Sequence, residues 1–193
     1  SQERQSRKVR EQIQRLREAL VRGEFELFLQ PKVDMHRGTV VGAEALARWR
    51  HPEQGVLAPG AFLPQLEGTE LEVPFGAWVL QAGLLLARAL QNQGLPLPVS
   101  VNVSAPHLQQ PGFARWVAAE LARHSDVPPD MLEIEITETA ALYHIDAVAQ
   151  TLADLRQQGV GVALDDFGTG YSSLTYLRRL PLSTLKIDQS FVH

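Results

Sequence analysis

Short segments of alternating or continuous apolar residues recur along the chain, separated by longer segments with helical spacing. The strand-like segments are FELFLQPKVD from Phe25, TVVGAEALARW from Thr39, PVSVNVS from Pro98, LEIEITE from Leu132, GVALDD from Gly161 and TLKIDQSF from Thr184. Helical segments lie at about 59–67, 73–93, 111–124, 145–158 and 172–179. Because strand and helix alternate this often, the pattern predicts an α/β fold with a parallel sheet or a barrel inside a layer of helices.

The first residues are charged and carry one apolar stripe. Val9, Ile13, Leu16 and Leu20 follow one another at spacings of four, three and four, which predicts an amphipathic helix. We interpret residues 1–12 as a linker helix from an upstream region, or equally as a solvated helix that lies on the domain, and residues 13–193 as one domain. The most apolar segment, FGAWVLQAGLLLARAL from Phe75, is short for a membrane span and predicts a core helix.

Polar residues share one face of several predicted strands, because side chains two residues apart point to the same side. These faces carry Glu44, Leu46 and Arg48; Ser100, Asn102 and Ser104; Glu133, Glu135 and Thr137; and Lys186, Asp188 and Ser190. On any single strand, ordinary solvent exposure would explain such a face. In a parallel sheet with helices over its apolar side, the polar faces converge inside a barrel or at its mouth.

Two adjacent carboxylates, Asp165 and Asp166, end a strand that otherwise looks buried. With Glu44, Asn102 and Glu135 they would place four carboxylates and an amide in one pocket, where unpaired charge costs many kcal/mol. Divalent cations would remove that cost. An all-oxygen ligand set suits Mg²⁺, Mn²⁺ or Ca²⁺, and adjacent aspartates can bridge two metal ions, as in phosphodiester hydrolysis.

The composition narrows the classes of ligand. The chain has 193 residues, 45% of them hydrophobic, which is enough for one domain with a substantial core. A net charge of −4 argues against general binding to DNA or to an anionic membrane. The absence of cysteine excludes disulfides and thiolate metal sites and is typical of a cytoplasmic protein.

Other chemical signals are weak. The histidines at 36, 51, 107, 124 and 144 have no metal-ligand spacing, so we expect them at the surface. The GTG turn at Gly168 lacks the lysine and hydroxyl residue of a P-loop, and we expect a flexible loop there.

Several motifs in a fixed order resemble those of the EAL family of cyclic di-GMP phosphodiesterases. They are FLQP at Phe28, EALARW at Glu44, HPEQG at His51, VNVS at Val101, EITE at Glu135, DDFGTGYSSL at Asp165 and LKIDQSFV at Leu185. The resemblance implies a modified (β/α)₈ TIM-like barrel with an antiparallel first strand. It also implies hydrolysis of cyclic di-GMP to linear pGpG in bacterial second-messenger signalling, with two Mg²⁺ or Mn²⁺ ions, and inhibition by Ca²⁺.

The resemblance also assigns roles by motif position. The first metal ion would be held by Glu44, Asn102, Glu135 and Asp165, and the second by Asp165 and Asp166. The catalytic set would comprise Glu44, Asp165, Asp166 and Lys186, with Lys186 at the catalytic water. The dinucleotide would lie against Gln30, Leu46, Arg48 and Asp188. The regulatory loop would comprise Phe167, Gly168, Thr169, Gly170, Tyr171, Ser172 and Ser173. A homodimer, and a sensor or GGDEF cyclase domain upstream, are implied partners.

One departure from the family concerns the end of the chain. The sequence stops at His193, after the sixth predicted strand, whereas the family continues with two more strands that bring another metal-binding glutamate and a glutamine. We therefore expect the 193-residue chain to be less active than a chain extended through those strands. The alternative function is a catalytically inactive EAL domain that serves as a cyclic di-GMP receptor or protein-interaction module. The intact ligand set favours the enzyme.

Overall fold

The structure, a computed structural model, describes residues 2–168 and 177–187. Its α-helices are α1 (Gln2–Arg22), α2 (Leu63–Leu66), α3 (Glu72–Asn92), α4 (Ala105–Leu108), α5 (Phe113–Arg123), α6 (Glu138–Leu142) and α7 (Ile145–Gln157). Its strands are β1 (Phe25–Asp34), β2 (Thr39–His51), β3 (Gly55–Leu57), β4 (Val99–Asn102), β5 (Leu132–Thr137), β6 (Gly161–Phe167) and β7 (Thr184–Ile187). Short 3₁₀ helices span Pro59–Ala61 and Pro129–Met131.

The strands form one sheet in the order β1-β2-β4-β5-β6-β7, with the short β3 paired to β2. β1 is antiparallel to β2, and the following pairs along this path are parallel. This confirms the predicted α/β fold of barrel type with an antiparallel first strand. Within the described residues, β7 does not pair with β1, and its outer side chains Leu185 and Ile187 are 42% and 61% exposed.

The predicted strands are confirmed over the described residues, which in the last strand end at Ile187, and the differences lie in the short elements. β3, α4 and α6 were not predicted, and the expected helix at 59–67 is a 3₁₀ turn followed by the single turn of α2. α4 and α6 directly follow strands, and each begins at a hydroxyl residue that caps it: Ser104 accepts from the backbone N–H of His107, and Thr137 from that of Ala140. Most of the helix expected at 172–179 lies outside the described residues.

The apolar faces of the central strands pack against helices, as predicted. Val99, Val101, Ile134 and Val162 have no exposed surface. α3 is long and apolar enough to cross a membrane by length and composition, the one such helix in the described residues. It lies against β4, so close that a Cβ on Gly83 would stand 2.6 Å from Cγ1 of Val101. α3 is therefore a core helix of this domain.

α1 is joined to the sheet through a cluster that we call the Arg15 clamp: Arg15, Glu24 and Trp49. Arg15 Nη2 donates to Glu24 Oε2 over 2.6 Å, and Trp49 Nε1 donates to the same oxygen over 2.9 Å. The guanidinium also lies over the Trp49 ring, 5.3 Å from its centroid. The side chains of Leu16 and Ala19 on α1 are buried, whereas that of Val9 is 44% exposed. The apolar stripe thus contacts the domain only along the second half of α1.

Candidate metal centre

The register of the parallel strands brings the predicted ligands to one end of the sheet. Glu44 pairs with Ser100 across β2 and β4, so that Asn102 lies one pleat further along β4. Asn102 in turn pairs with Glu135 on β5. On the next strand, β6, Asp165 pairs with Thr137 of β5, which lies on the same face as Glu135. Because residues two apart share a face, these four side chains point to the same side of the sheet at the carboxyl ends of its strands.

Three carboxylates converge at this point. One oxygen each from Glu44, Glu135 and Asp165 lies within 4.8 Å of the other two. Asn102 Nδ2 donates to Glu44 Oε1 over 3.0 Å, which orients that carboxylate. The Glu135 side chain has no exposed surface, whereas those of Glu44 and Asp165 are 17% and 21% exposed. The donor set, all oxygen and partly open to solvent, fits a hard divalent cation such as Mg²⁺ or Mn²⁺.

Lys186 reaches into the same cluster from β7. Its Nζ lies 2.8 Å from Glu135 Oε2, 3.1 Å from Glu44 Oε2 and 3.5 Å from Asp165 Oδ1. One ammonium therefore contacts all three carboxylates that could hold a metal ion. The structure thus brings Lys186 together with three of the predicted ligands, and its role at a catalytic water stays a prediction.

Burial and charge act in opposite directions on these groups. Burial raises the pKa of Glu135, and the charge of Glu44 adds to that effect, so its pKa lies above the ordinary value despite hydrogen bonds from Lys186 and Lys32. For Glu44, burial is outweighed by hydrogen bonds from Asn102 and Lys186, and its pKa is lowered. For Lys186, the two glutamates outweigh burial and hold its pKa well above the ordinary value. The ammonium therefore stays charged at neutral pH.

A second polar layer lies directly next to this cluster: Ser100 and Glu133 were expected on the polar faces, whereas Lys32 was not predicted. Lys32 on β1 donates to Ser100 Oγ, to Glu133 Oε1 over 2.8 Å and to Glu135 Oε1 over 2.8 Å. Burial acts to lower the pKa of Lys32, but the hydrogen bonds and charges of Glu133 and Glu135 outweigh it and raise the pKa. The alternation of Gln30, Lys32 and Asp34 along β1 carries a signal for this residue, since it is the same pattern that identified the other strands.

The end of β6 is held by a buried glutamate. The backbone of Asp166 is left-handed, with φ of 57°, and its N–H donates to Asp165 Oδ1 over 2.9 Å. Glu138, 3% exposed, accepts from the N–H of Gly168 over 3.0 Å. Asp166 is adjacent to the three converging carboxylates without being one of them. Its role at a second metal ion stays a prediction.

The residues expected at the dinucleotide lie on the hairpin of β1 and β2. Gln30 is exposed and pairs with Glu44 across the two strands, and Leu46 pairs with Phe28. The Arg48 guanidinium lies over the Phe28 ring, 5.2 Å from its centroid, and donates to the backbone oxygen of Ala47. By alternation along β2, Leu46 and Arg48 lie on the same face of that strand as Glu44. Asp188 and the loop residues Thr169, Gly170, Tyr171, Ser172 and Ser173 lie outside the described residues.

The expectation that His107 is a surface residue is wrong. It is 3% exposed on α4, in ring contact with Phe113 and Trp116 on α5. A Cβ on Gly76 of α3 would stand 2.5 Å from its Nδ1, so only glycine admits the imidazole there. Burial lowers its pKa to about 4. His107 is thus a neutral core residue.

Comparison with known proteins gives relatives over nearly the whole chain. It is 44% identical over 179 residues to the bifunctional diguanylate cyclase/cyclic di-GMP phosphodiesterase MucR of Pseudomonas aeruginosa, covering 92% of this chain and 26% of MucR. It is 41% identical over 167 residues to the cyclic di-GMP phosphodiesterase PA2567 of the same organism, covering 86% of this chain and 28% of PA2567. The chain thus spans about a quarter of the length of these relatives.

Solved structures agree with these sequence matches. The PaMucR phosphodiesterase in complex with c-di-GMP superposes with a TM-score of 0.88 at 43% identity, over 94% of this chain and 74% of that chain. The FimX EAL domain from Pseudomonas aeruginosa bound to c-di-GMP gives 0.84 at 26% identity, over 94% of this chain and 73% of that chain. Residues 13–193 also match the family model of the EAL domain. Together with the identities to MucR and PA2567, this match shows that the chain belongs to the EAL domain family.

Proposed function

We propose that this EAL domain hydrolyses cyclic di-GMP to linear pGpG with two divalent cations, Mg²⁺ or Mn²⁺. The observation that carries the proposal is the convergence of Glu44, Glu135 and Asp165 within 4.8 Å at the carboxyl ends of adjacent strands. The names of MucR and PA2567, and the c-di-GMP complex of PaMucR, support the choice of substrate. We further propose that the domain lies in the cytoplasm, that it forms a homodimer, and that a sensor or GGDEF domain precedes it in the parent protein.

The reaction requires water to add to phosphorus while the bond from phosphorus to one ribose 3′-oxygen breaks. The water oxygen stays on the phosphate, and a proton passes to the leaving oxygen, which opens the cyclic dinucleotide to the linear form. Divalent cations, when bound, lower the pKa of the water and offset the charge of the phosphate. Glu44, Asn102, Glu135 and Asp165 would hold the first cation, and Asp165 and Asp166 the second.

Other side chains bind and orient the reactants. Lys186, charged and in contact with three carboxylates, is placed to donate a hydrogen bond to the attacking water. Arg48 lies on the same face of β2 as Glu44, and its guanidinium would suit a phosphate oxygen of the dinucleotide. Asn102 holds Glu44 through the 3.0 Å hydrogen bond and thereby keeps one carboxylate oxygen turned toward the other ligands.

The experiment measures pGpG formed by the purified chain from cyclic di-GMP in Mg²⁺ or Mn²⁺, with and without EDTA. We expect pGpG to form only when Mg²⁺ or Mn²⁺ is present. We expect Ca²⁺ to inhibit, because it would occupy the same sites with a looser coordination geometry. Tight binding of cyclic di-GMP without turnover would support the receptor alternative instead.

The matched variants are Glu44→Ala and Glu53→Ala. Glu44→Ala should keep the fold but lose metal affinity and lower hydrolysis by at least about 100-fold. Glu53, exposed in the turn between β2 and β3, should tolerate the same change without loss. Hydrolysis that is unchanged in Glu44→Ala would exclude the metal assignment.

A further inference from the structure

Lys32 contacts one oxygen of the most deeply buried carboxylate in the metal centre. Its Nζ lies 2.8 Å from Glu135 Oε1, while Lys186 Nζ lies 2.8 Å from Glu135 Oε2. The two oxygens of Glu135 therefore have separate cationic partners on opposite sides. Since the Glu135 side chain has no exposed surface, bulk water does not reach its oxygens, and loss of a lysine would leave one oxygen without that partner.

The division of the two oxygens matters for metal binding. Oε2 shares Lys186 with Glu44 Oε2, so it is the oxygen that faces the other two carboxylates. Oε1 is turned away, toward Lys32. A rotation of the carboxylate would break the contact to each lysine at once. Lys32 thereby determines which oxygen of Glu135 is presented to a cation.

Lys32 is itself held by groups that take no part in the metal centre. Glu133 Oε1 accepts from Lys32 and, over 2.7 Å, from Ser100 Oγ. The second oxygen of Glu133 accepts from Thr184 Oγ1 over 3.1 Å. These bonds connect β1, β4, β5 and β7 in one cluster, which we call the Lys32 brace: Lys32, Ser100, Glu133 and Thr184. The brace fixes the ammonium, and the ammonium fixes Glu135.

We propose that Lys32 is a positioning residue of the metal centre, which holds Oε1 of Glu135 so that only Oε2 is available to the cation. This inference rests on the proposed function for its biological meaning, but it concerns the affinity of the protein for a divalent cation in the absence of nucleotide. Lys32 would act through its hydrogen bond to Glu135 Oε1, since an ammonium cannot itself be a metal ligand. Groups that orient a metal ligand in this way commonly contribute a factor of 10–100 to affinity.

The experiment measures the dissociation constant of Mn²⁺ by calorimetry, without nucleotide, for the unchanged chain, Lys32→Met and Arg15→Met. Arg15 is a matched control because its side chain is 27% exposed against 28% for Lys32, and because it also pairs with a glutamate, Glu24, outside the metal centre. Lys32→Met should weaken Mn²⁺ binding about 10–100-fold. Arg15→Met should lower the thermal midpoint in EDTA and leave Mn²⁺ binding within about threefold.

Three results would overturn the inference: unchanged Mn²⁺ affinity in Lys32→Met, equal losses in both variants, or no Mn²⁺ binding by the unchanged chain. If Lys32→Met does not fold, Lys32→Gln takes its place, because the glutamine side chain is one bond shorter than that of lysine and its amide should not reach Glu135. Unchanged Mn²⁺ affinity in Lys32→Gln would also overturn the inference. If the unchanged chain binds Mn²⁺ but does not hydrolyse cyclic di-GMP, the proposed function is refuted. The role of Lys32 is then still tested by the Mn²⁺ affinities of the variants.

Discussion

Lys186 Nζ lies 2.8 Å from Oε2 of Glu135, a carboxylate with no exposed surface. This distance is the shortest that the ammonium makes to the three converging carboxylates. The lysine neutralises part of the negative charge of the centre within the chain itself. A divalent cation bound at the same carboxylates would share them with this ammonium. Stability and metal binding are therefore linked through Lys186.

Replacing Lys186 tests this link. In Lys186→Met, Glu44, Glu135 and Asp165 would face one another without the ammonium, which should destabilise the protein in EDTA by on the order of 2 kcal/mol. That corresponds to a fall of about 4–8 °C in the thermal midpoint for a domain of this size. Mn²⁺ should then raise the midpoint more in the variant than in the unchanged chain, because the cation replaces the lost charge.

Differential scanning calorimetry in EDTA and in Mn²⁺ measures both effects. Arg179→Met is the control: its ion pair with Asp146 joins side chains that are 50% and 82% exposed, so the midpoint should change little. A midpoint in EDTA that is the same for Lys186→Met and for Arg179→Met would contradict the prediction.

The Arg15 clamp should determine how firmly α1 is held to the sheet. Glu24→Ala removes the acceptor of both Arg15 Nη2 and Trp49 Nε1. Because Trp49 is 5% exposed, its indole N–H would be left without a partner, at a cost of about 1–3 kcal/mol. We expect a lower unfolding midpoint and faster hydrogen exchange along α1.

The exposed pair of Arg7 and Glu11 on the same helix supplies the control. Glu11→Ala breaks a contact of 2.7 Å between side chains that are 82% and 61% exposed, so the change in stability should stay within about 0.5 kcal/mol. If α1 exchanges at the same rate in Glu24→Ala and in the unchanged chain, the clamp does not hold the helix.

His107 should make stability depend on pH in mildly acid solution. Its pKa is about 4 in the folded chain against 6.5 for the ordinary group, so the unfolded chain binds more protons between these values. Stability is therefore complete above about pH 6.5 and decreases as the pH falls toward 4. The loss from this residue should reach up to about 3 kcal/mol.

Urea unfolding at pH 7.5 and at pH 5 measures this dependence. His107→Gln removes the titrating group and should show a smaller loss between the two pH values than the unchanged chain. His36→Gln changes an exposed histidine and should retain the full loss. An identical pH dependence in the two variants would show that His107 is not the group responsible.

The residues proposed as metal ligands could be brought together from the sequence because their placement depends on local geometry. Side chains two residues apart lie on one face of a strand, and parallel strands end at the same edge of a sheet, which predicts that Glu44, Asn102, Glu135, Asp165 and Asp166 meet. Lys186 follows the same period on β7. The structure brings Glu44, Glu135 and Asp165 within 4.8 Å of one another, with Asn102 bonded to Glu44, and Asp166 is not among the converging carboxylates.

Other features depend on contacts between residues that are remote in the chain. Lys32 is separated by 101 residues from Glu133 and by 103 from Glu135, so its role required the antiparallel pairing of β1 to place it inside the sheet. The sequence predicts a surface position for His107 only because no other residue stands at metal-ligand spacing from it. Its burial depends on Gly76 of α3 and on the aromatic side chains of α5, which cover it only in the folded domain.

The sequence by itself therefore determined the class of fold, the strands and the polar face on which the ligands lie, because side-chain periodicity is a property of each strand alone. The tertiary structure decided how those ligands are held: which oxygen of Glu135 meets which lysine, which glutamate holds the end of β6, and which histidine is excluded from water. Orientation and burial arise from packing between elements, and a one-dimensional pattern does not contain the distances that set them.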